Sequence, residues 1–103
     1  KHSETRVITC DSIQDAVANY YGLSVEDLKS PKRNHEITVP RQIAMYLCRE
    51  LVGSSLSEVG KFFGKRDHST VLYACDKIEK EIEQDIELKN TITDLTKNIK
   101  HSG

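Results

Sequence analysis

The chain has 103 residues, 37% apolar and 30% charged, with no tryptophan; one core fits that length, and the pattern is too regular for disorder. No stretch is long and apolar enough to span a membrane. The net charge of −1 argues against a nucleic-acid partner on the sum alone, yet residues 28–66 carry eight basic against three acidic residues, a net of +5 between ends of −3 each. That distribution leaves room for a local positive face.

Asp11 to Gln14 reads as a capping box, and Ile13, Ala16, Val17 and Tyr20 follow at helical spacing until Gly22. Ser24 to Leu28 reads as one short capped turn, and Ser30 to Glu36 as a polar, basic loop with no period. Pro40 suits the first turn of a helix. Ile43, Ala44, Leu47, Cys48 and Leu51 then form an apolar stripe that must pack on something. Ser55 to Glu58 is a second capping box, before a short helix with Val59, Phe62 and Phe63 on one side and Gly64 at its end. Asp67 can cap a long helix with Val71, Cys75, Ile78, Ile82 and Ile86 inward. Leu88, Ile92, Leu95 and Ile99 continue as a separate helix after a break near Glu87, expected to fold back on the core. No strand-like alternation occurs, so the expected fold is all-α.

Cys10, Cys48 and Cys75 form no C-x-x-C pair and have no histidine at zinc spacing, so they read as small buried hydrophobes and no metal site is expected. Gly60-Lys61 lacks the upstream glycine and following hydroxyl of a phosphate-binding P-loop. No nucleophile–base arrangement is supported, and we expect a binder rather than an enzyme.

Residues 55–80 have the form of a helix-turn-helix, whose second helix offers its N-terminal residues to base edges in the major groove. The side chains there suit that task. Asp67 can accept from a cytosine amino group, His68 and Ser69 can donate or accept at base edges, and Thr70 offers a hydroxyl to phosphate. Lys61, Lys65 and Arg66 crowd the turn, where a DNA backbone would pass. The same Asp-His-Ser-Thr run is also ordinary capping chemistry. Many helix pairs turn at a glycine without touching DNA.

The stretch from Gly64 through Lys-Arg-Asp-His-Ser-Thr-Val-Leu-Tyr-Ala to Ile78 resembles the signature of the bacterial chromosomal replication initiator family, DnaA, in its C-terminal DNA-binding domain. Val39-Pro-Arg-Gln-Ile-Ala-Met to Leu51 is similar to the family's P-R-Q-x-A-M helix, and Ser55 to Gly64 to the helix before its turn. Ile8 to Tyr21 and Ser30 to Arg33 match more loosely. The resemblance implies a trpR-like multi-helix domain over residues 8–100. Residues 1–7 would be a linker remnant and 101–103 a tail; Lys1 in place of Met fits a fragment of a longer chain.

By the same resemblance, the domain binds DnaA boxes in double-stranded DNA at the replication origin, with transcriptional regulation and regulatory proteins as further roles and partners. Asp67, His68 and Ser69 would read bases and Arg33 would enter the minor groove. Lys32, Arg41, Gln42, Arg49, Leu56, Ser57, Lys65, Arg66, Thr70 and Tyr73 would meet the backbone or groove edge. Ser57 stands where many relatives have proline, Ser69 where threonine is commoner, and Tyr73 where some have histidine. ATP would belong to an ATPase module absent from this piece, so no cofactor is expected here. The expected setting is the bacterial cytoplasm, at the nucleoid, and the piece is expected to be monomeric. A repressor of another helix-turn-helix family, and a helical module docking a regulator on the acidic run Glu79 to Glu87, remain the competing readings.

Overall fold

The computed structural model describes residues 7–101, and among them every regular element is helical. The helices are α1 (Cys10–Tyr21), α2 (Val25–Lys29), α3 (His35–Leu47), α4 (Leu56–Phe62), α5 (His68–Gln84) and α6 (Ile86–His101). A π-helical turn, Cys48–Val52, extends α3 without a break. Residues 1–6 of the expected linker and 102–103 of the expected tail lie outside the described residues. His101, placed in that tail, is the last residue of α6.

Three capping boxes set the early boundaries. Thr9 caps α1 by accepting from the Ser12 amide at 3.1 Å, Ser24 caps α2, and Ser55 caps α4 by accepting from the Glu58 amide. The box expected at Asp11–Gln14 is therefore two residues late in register; the observed one is Thr9–Ser12. A capping side chain must hang from extended backbone, which Thr9 has (φ −126°, ψ 165°). Gln14 turns inward instead, and its Nε2 donates to the Phe62 carbonyl at 2.7 Å, tying α1 to the end of α4.

Two further boundaries differ. The basic loop stops at Asn34, and His35 and Glu36 open α3. Pro40 consequently sits in the sixth position of that helix, where its ring removes one backbone hydrogen bond. Burial of Pro40 within α3 offsets that loss. At the other end, α5 closes at Asp85 rather than near Glu87, because the Asp85 carboxylate accepts from the amides of Glu87 and Leu88 and so starts α6. Ile86, expected inward, is 66% exposed, and Tyr20 is exposed as well.

The central α3 packs against α1, α2 and α5, and α6 lies across α1 and α5. Ile13, Val17, Leu28, Ile43, Met45, Leu47, Val59, Phe63, Val71, Ile78 and Leu95 are completely or almost completely buried in one cluster. Cys10, Cys48 and Cys75 belong to it as free thiols. Burial pushes the Cys48 thiol far up and Cys75 up to about 11, so neither is a thiolate at neutral pH. No group of metal-ligating side chains gathers among the described residues. No helix there is long and apolar enough to cross a membrane.

Candidate nucleic-acid interface

The turn between α4 and α5 is built on two glycines. Gly60, inside α4, has no room for a side chain because a Cβ would collide with the Arg66 carbonyl oxygen. That carbonyl lies close because the Arg66 amide donates back to the Gly60 carbonyl at 3.0 Å. Gly64 has φ +78°, and a Cβ there would meet the Lys29 carbonyl oxygen. Lys65 follows with φ +63°, the one non-glycine residue in that region among those described. The chain thus reverses within a few residues and delivers α5 at a fixed angle to α4.

At the start of α5, Asp67 caps the helix, its Oδ1 accepting from the Thr70 amide at 3.1 Å. One oxygen of the carboxylate does structural work and the other is free to face outward. His68, Ser69, Thr70, Leu72 and Tyr73 are all exposed, while Val71, Ala74, Cys75 and Ile78 hold the opposite side of the helix in the core. Two grooves flank this N-terminus. One is lined by Ser57, Lys61, Lys65, Arg66, Asp67 and His68. The other is lined by Lys29, Pro31, Arg33, Arg41, Gly64, Arg66 and Thr70. Arg66 forms part of both, so the basic loop and the helix-turn-helix share one continuous cationic face.

The remaining residues singled out in sequence divide by what they touch. Arg33 is exposed in the loop, and Lys32 beside it pairs with Asp27 at 3.3 Å. Arg41 is only 5% exposed. Its Nε donates to the Leu28 carbonyl at 2.8 Å and its Nη2 to the carbonyls of Ser30 at 2.9 Å and Asp27 at 3.3 Å. Arg41, expected at the DNA backbone or groove edge, is thus turned into the domain and held by backbone carbonyls. Burial, then the neighbouring Arg66 charge, lowers its pKa to about 10, which leaves it cationic at neutral pH. Gln42 accepts from Lys77 Nζ at 3.3 Å through its Oε1, and Arg49 donates to the Ser54 carbonyl at 2.9 Å. Leu56 is half-buried and Ser57 exposed in the first turn of α4.

Lys61 lines one groove, at the turn where a DNA backbone was expected to pass, and Lys29 lines the other although it was not among the expected contacts. Lys29 lies three residues before the basic pair 32–33, so spacing alone could have brought it in.

Comparison with known proteins agrees with this geometry. Residues 10–78 match the family described as "Bacterial dnaA protein helix-turn-helix". The chain is 50% identical over 92 residues to the chromosomal replication initiator protein DnaA of Lactobacillus delbrueckii subsp. bulgaricus, covering 89% of this chain and 20% of that protein. Among solved structures, a DNA replication initiation factor superposes with a TM-score of 0.75 at 38% identity, over 87% of this chain and 28% of that one. AMPPCP-bound DnaA from Aquifex aeolicus gives 0.73 at 37% identity, over 87% and 26%. The chain therefore spans about a fifth of the length of its curated relatives. With two thirds of its residues inside the matched helix-turn-helix and a close relative along most of its length, the chain belongs to the bacterial DnaA helix-turn-helix family.

Proposed function

We propose that this chain is the double-stranded DNA-reading part of a replication initiator, binding DnaA boxes at a bacterial origin. The observation that carries the reading is the exposed N-terminus of α5 standing between two cationic grooves. Phosphates of the duplex would lie along Lys61, Lys65 and Thr70, which supply affinity without sequence information. His68, Ser69 and the free oxygen of Asp67 face the major groove and read base edges there. Arg33, on its exposed loop, enters the adjacent minor groove, where a narrow A·T segment attracts a guanidinium. Gln42, Arg49, Leu56, Ser57 and Tyr73 sit at the edges of this footprint, and Lys32 adds charge beside Arg33. Nucleotide, on this reading, is held elsewhere in the whole protein, and regulators and the nucleoid setting follow from the origin itself.

Titration of a labelled box duplex against a scrambled duplex over a range of salt tests the reading. The box should bind about a thousandfold or more tightly than the scramble, as specific sites do. Both affinities should fall steeply with salt, as counterion release requires. Equal affinity for the two duplexes at every salt concentration defeats it.

A further inference from the structure

We propose that Arg41 and Arg66 are positioning residues that clasp the Ser30 carbonyl and so register the minor-groove loop against the recognition helix. Both guanidiniums converge on that one oxygen, Arg41 Nη2 at 2.9 Å and Arg66 Nη2 at 2.6 Å. They come from different elements. Arg41 comes from α3, and Arg66 from the turn between α4 and α5.

Each arginine also holds a second anchor. Arg66 Nη1 donates to the Phe63 carbonyl at the end of α4, and Arg41 Nε donates to the Leu28 carbonyl at the end of α2. Three segments that share no hydrogen-bonded ladder are thereby locked at one point. Gly64 lies against the Lys29 carbonyl immediately beside it, which brings the turn and the α2 end into direct backbone contact.

The charges make the arrangement informative. Among the described residues neither guanidinium pairs with a carboxylate; both are satisfied by neutral carbonyls, with a like charge beside them. Holding a buried guanidinium and a half-buried one together without an acid is costly. A lysine or an apolar residue could fill the space, but only the planar fork of arginine reaches two carbonyls at fixed angles. Ser30 is one residue from Pro31 and three from Arg33, so fixing its carbonyl fixes where the loop departs.

The inference rests on the minor-groove role of Arg33, and the test separates the two. Arg66→Lys keeps the charge but cannot fork between Phe63 and Ser30; Arg41→Lys is the companion variant should the first melt too low. Binding of the 103-residue chain is measured on the box, on a box whose A·T end is replaced by G·C, and on a scrambled duplex. Arg66→Lys should reduce the preference for the intact A·T end about tenfold, and lose that effect in an Arg33→Ala background, as coupled residues do. Scrambled-duplex affinity and its salt slope should stay as they were. Additive losses in the double variant, or an equal loss on the box and the scrambled duplex, would make Arg66 a direct DNA contact and overturn the clasp.

Backbone order parameters in the free protein give a second readout. Residues 32–34 should fall from the rigid range near ~0.85 to below ~0.6 in Arg66→Lys, while α5 stays rigid. An unchanged loop overturns the clasp whatever Arg33 does. A loosened loop, with A·T preference intact in Arg33→Ala, leaves the clasp standing and removes the minor-groove role.

Discussion

Asp67 serves two purposes through one carboxylate, and the two can be separated by substitution. Its Oδ1 accepts the Thr70 amide, a role the side-chain carbonyl of asparagine can also fill. Only the carboxylate combines that cap with a second acceptor for a base edge. Asp67→Asn should therefore melt near the parent temperature yet lose about 1–3 kcal/mol on the box and little on random DNA. Asp67→Ala should lose about 1 kcal/mol of stability in addition; equal binding losses on both duplexes would reduce Asp67 to a cap. Lys65 presents the opposite trade. At φ +63° its backbone pays a steric cost that glycine avoids, and its ammonium lines the groove beside Asp67. Lys65→Gly should raise stability by about 0.5 kcal/mol in a denaturant melt. The same variant should lower affinity for all duplexes alike and reduce the salt slope by about one. Greater stability with unchanged DNA affinity would leave that strain without a role in binding.

The helix-turn-helix is held by backbone as much as by side chains. Gly60 permits α4 to approach the Arg66 carbonyl, so Gly60→Ala must push the turn away and rotate α5 with it. The expected cost is about 1–3 kcal/mol of stability, the usual range for an overpacked site. Discrimination between box and scramble should fall with it, and a variant of normal specificity would show that the turn can absorb the methyl. This element was legible in the sequence because its signals are local: the Ser55–Glu58 box, Gly64, Asp67 and an apolar period confined to one face. The same holds for α2 and its Ser24 cap. What was not legible depended on distance. Nothing near Arg41 in sequence announces three carbonyl partners 11 to 14 residues upstream, so a buried anchor reads as a surface charge. Pro40 likewise suggests a helix start to any local rule, and only packing shows that α3 began five residues earlier. Ile86 kept the spacing of an inward residue, but the Asp85 cap resets the helical phase between α5 and α6.

At the scale of the whole molecule, charge and core are segregated. The basic middle of the chain supplies the two grooves, while the acidic stretch from Glu79 to Glu87 runs along the far end of α5 and into α6. Neither groove includes a residue of α6, which lies across α1 and α5 and places Leu95 and Ile99 in the core. Stability and DNA contact should therefore be separable by mutation in α6. Leu95 is fully buried, so Leu95→Ala should cost about 3 kcal/mol, the middle of the range for such truncations. In a domain of this size that lowers the melting temperature by about 15 °C. Box affinity, measured well below the new melting temperature, should match the parent, because the grooves and α5's N-terminus are built by other elements. DNA should then restore what the core lost. Box duplex at about one hundred times its Kd adds about 2.7 kcal/mol to the folded state. The melting temperature of Leu95→Ala with DNA should come back close to that of the parent without it. Two results would break this separation. A cost under about 1 kcal/mol would mean α6 is not a true part of the core. A weakened box affinity in the folded variant would mean that α6 sets the position of the recognition helix through its packing on α5.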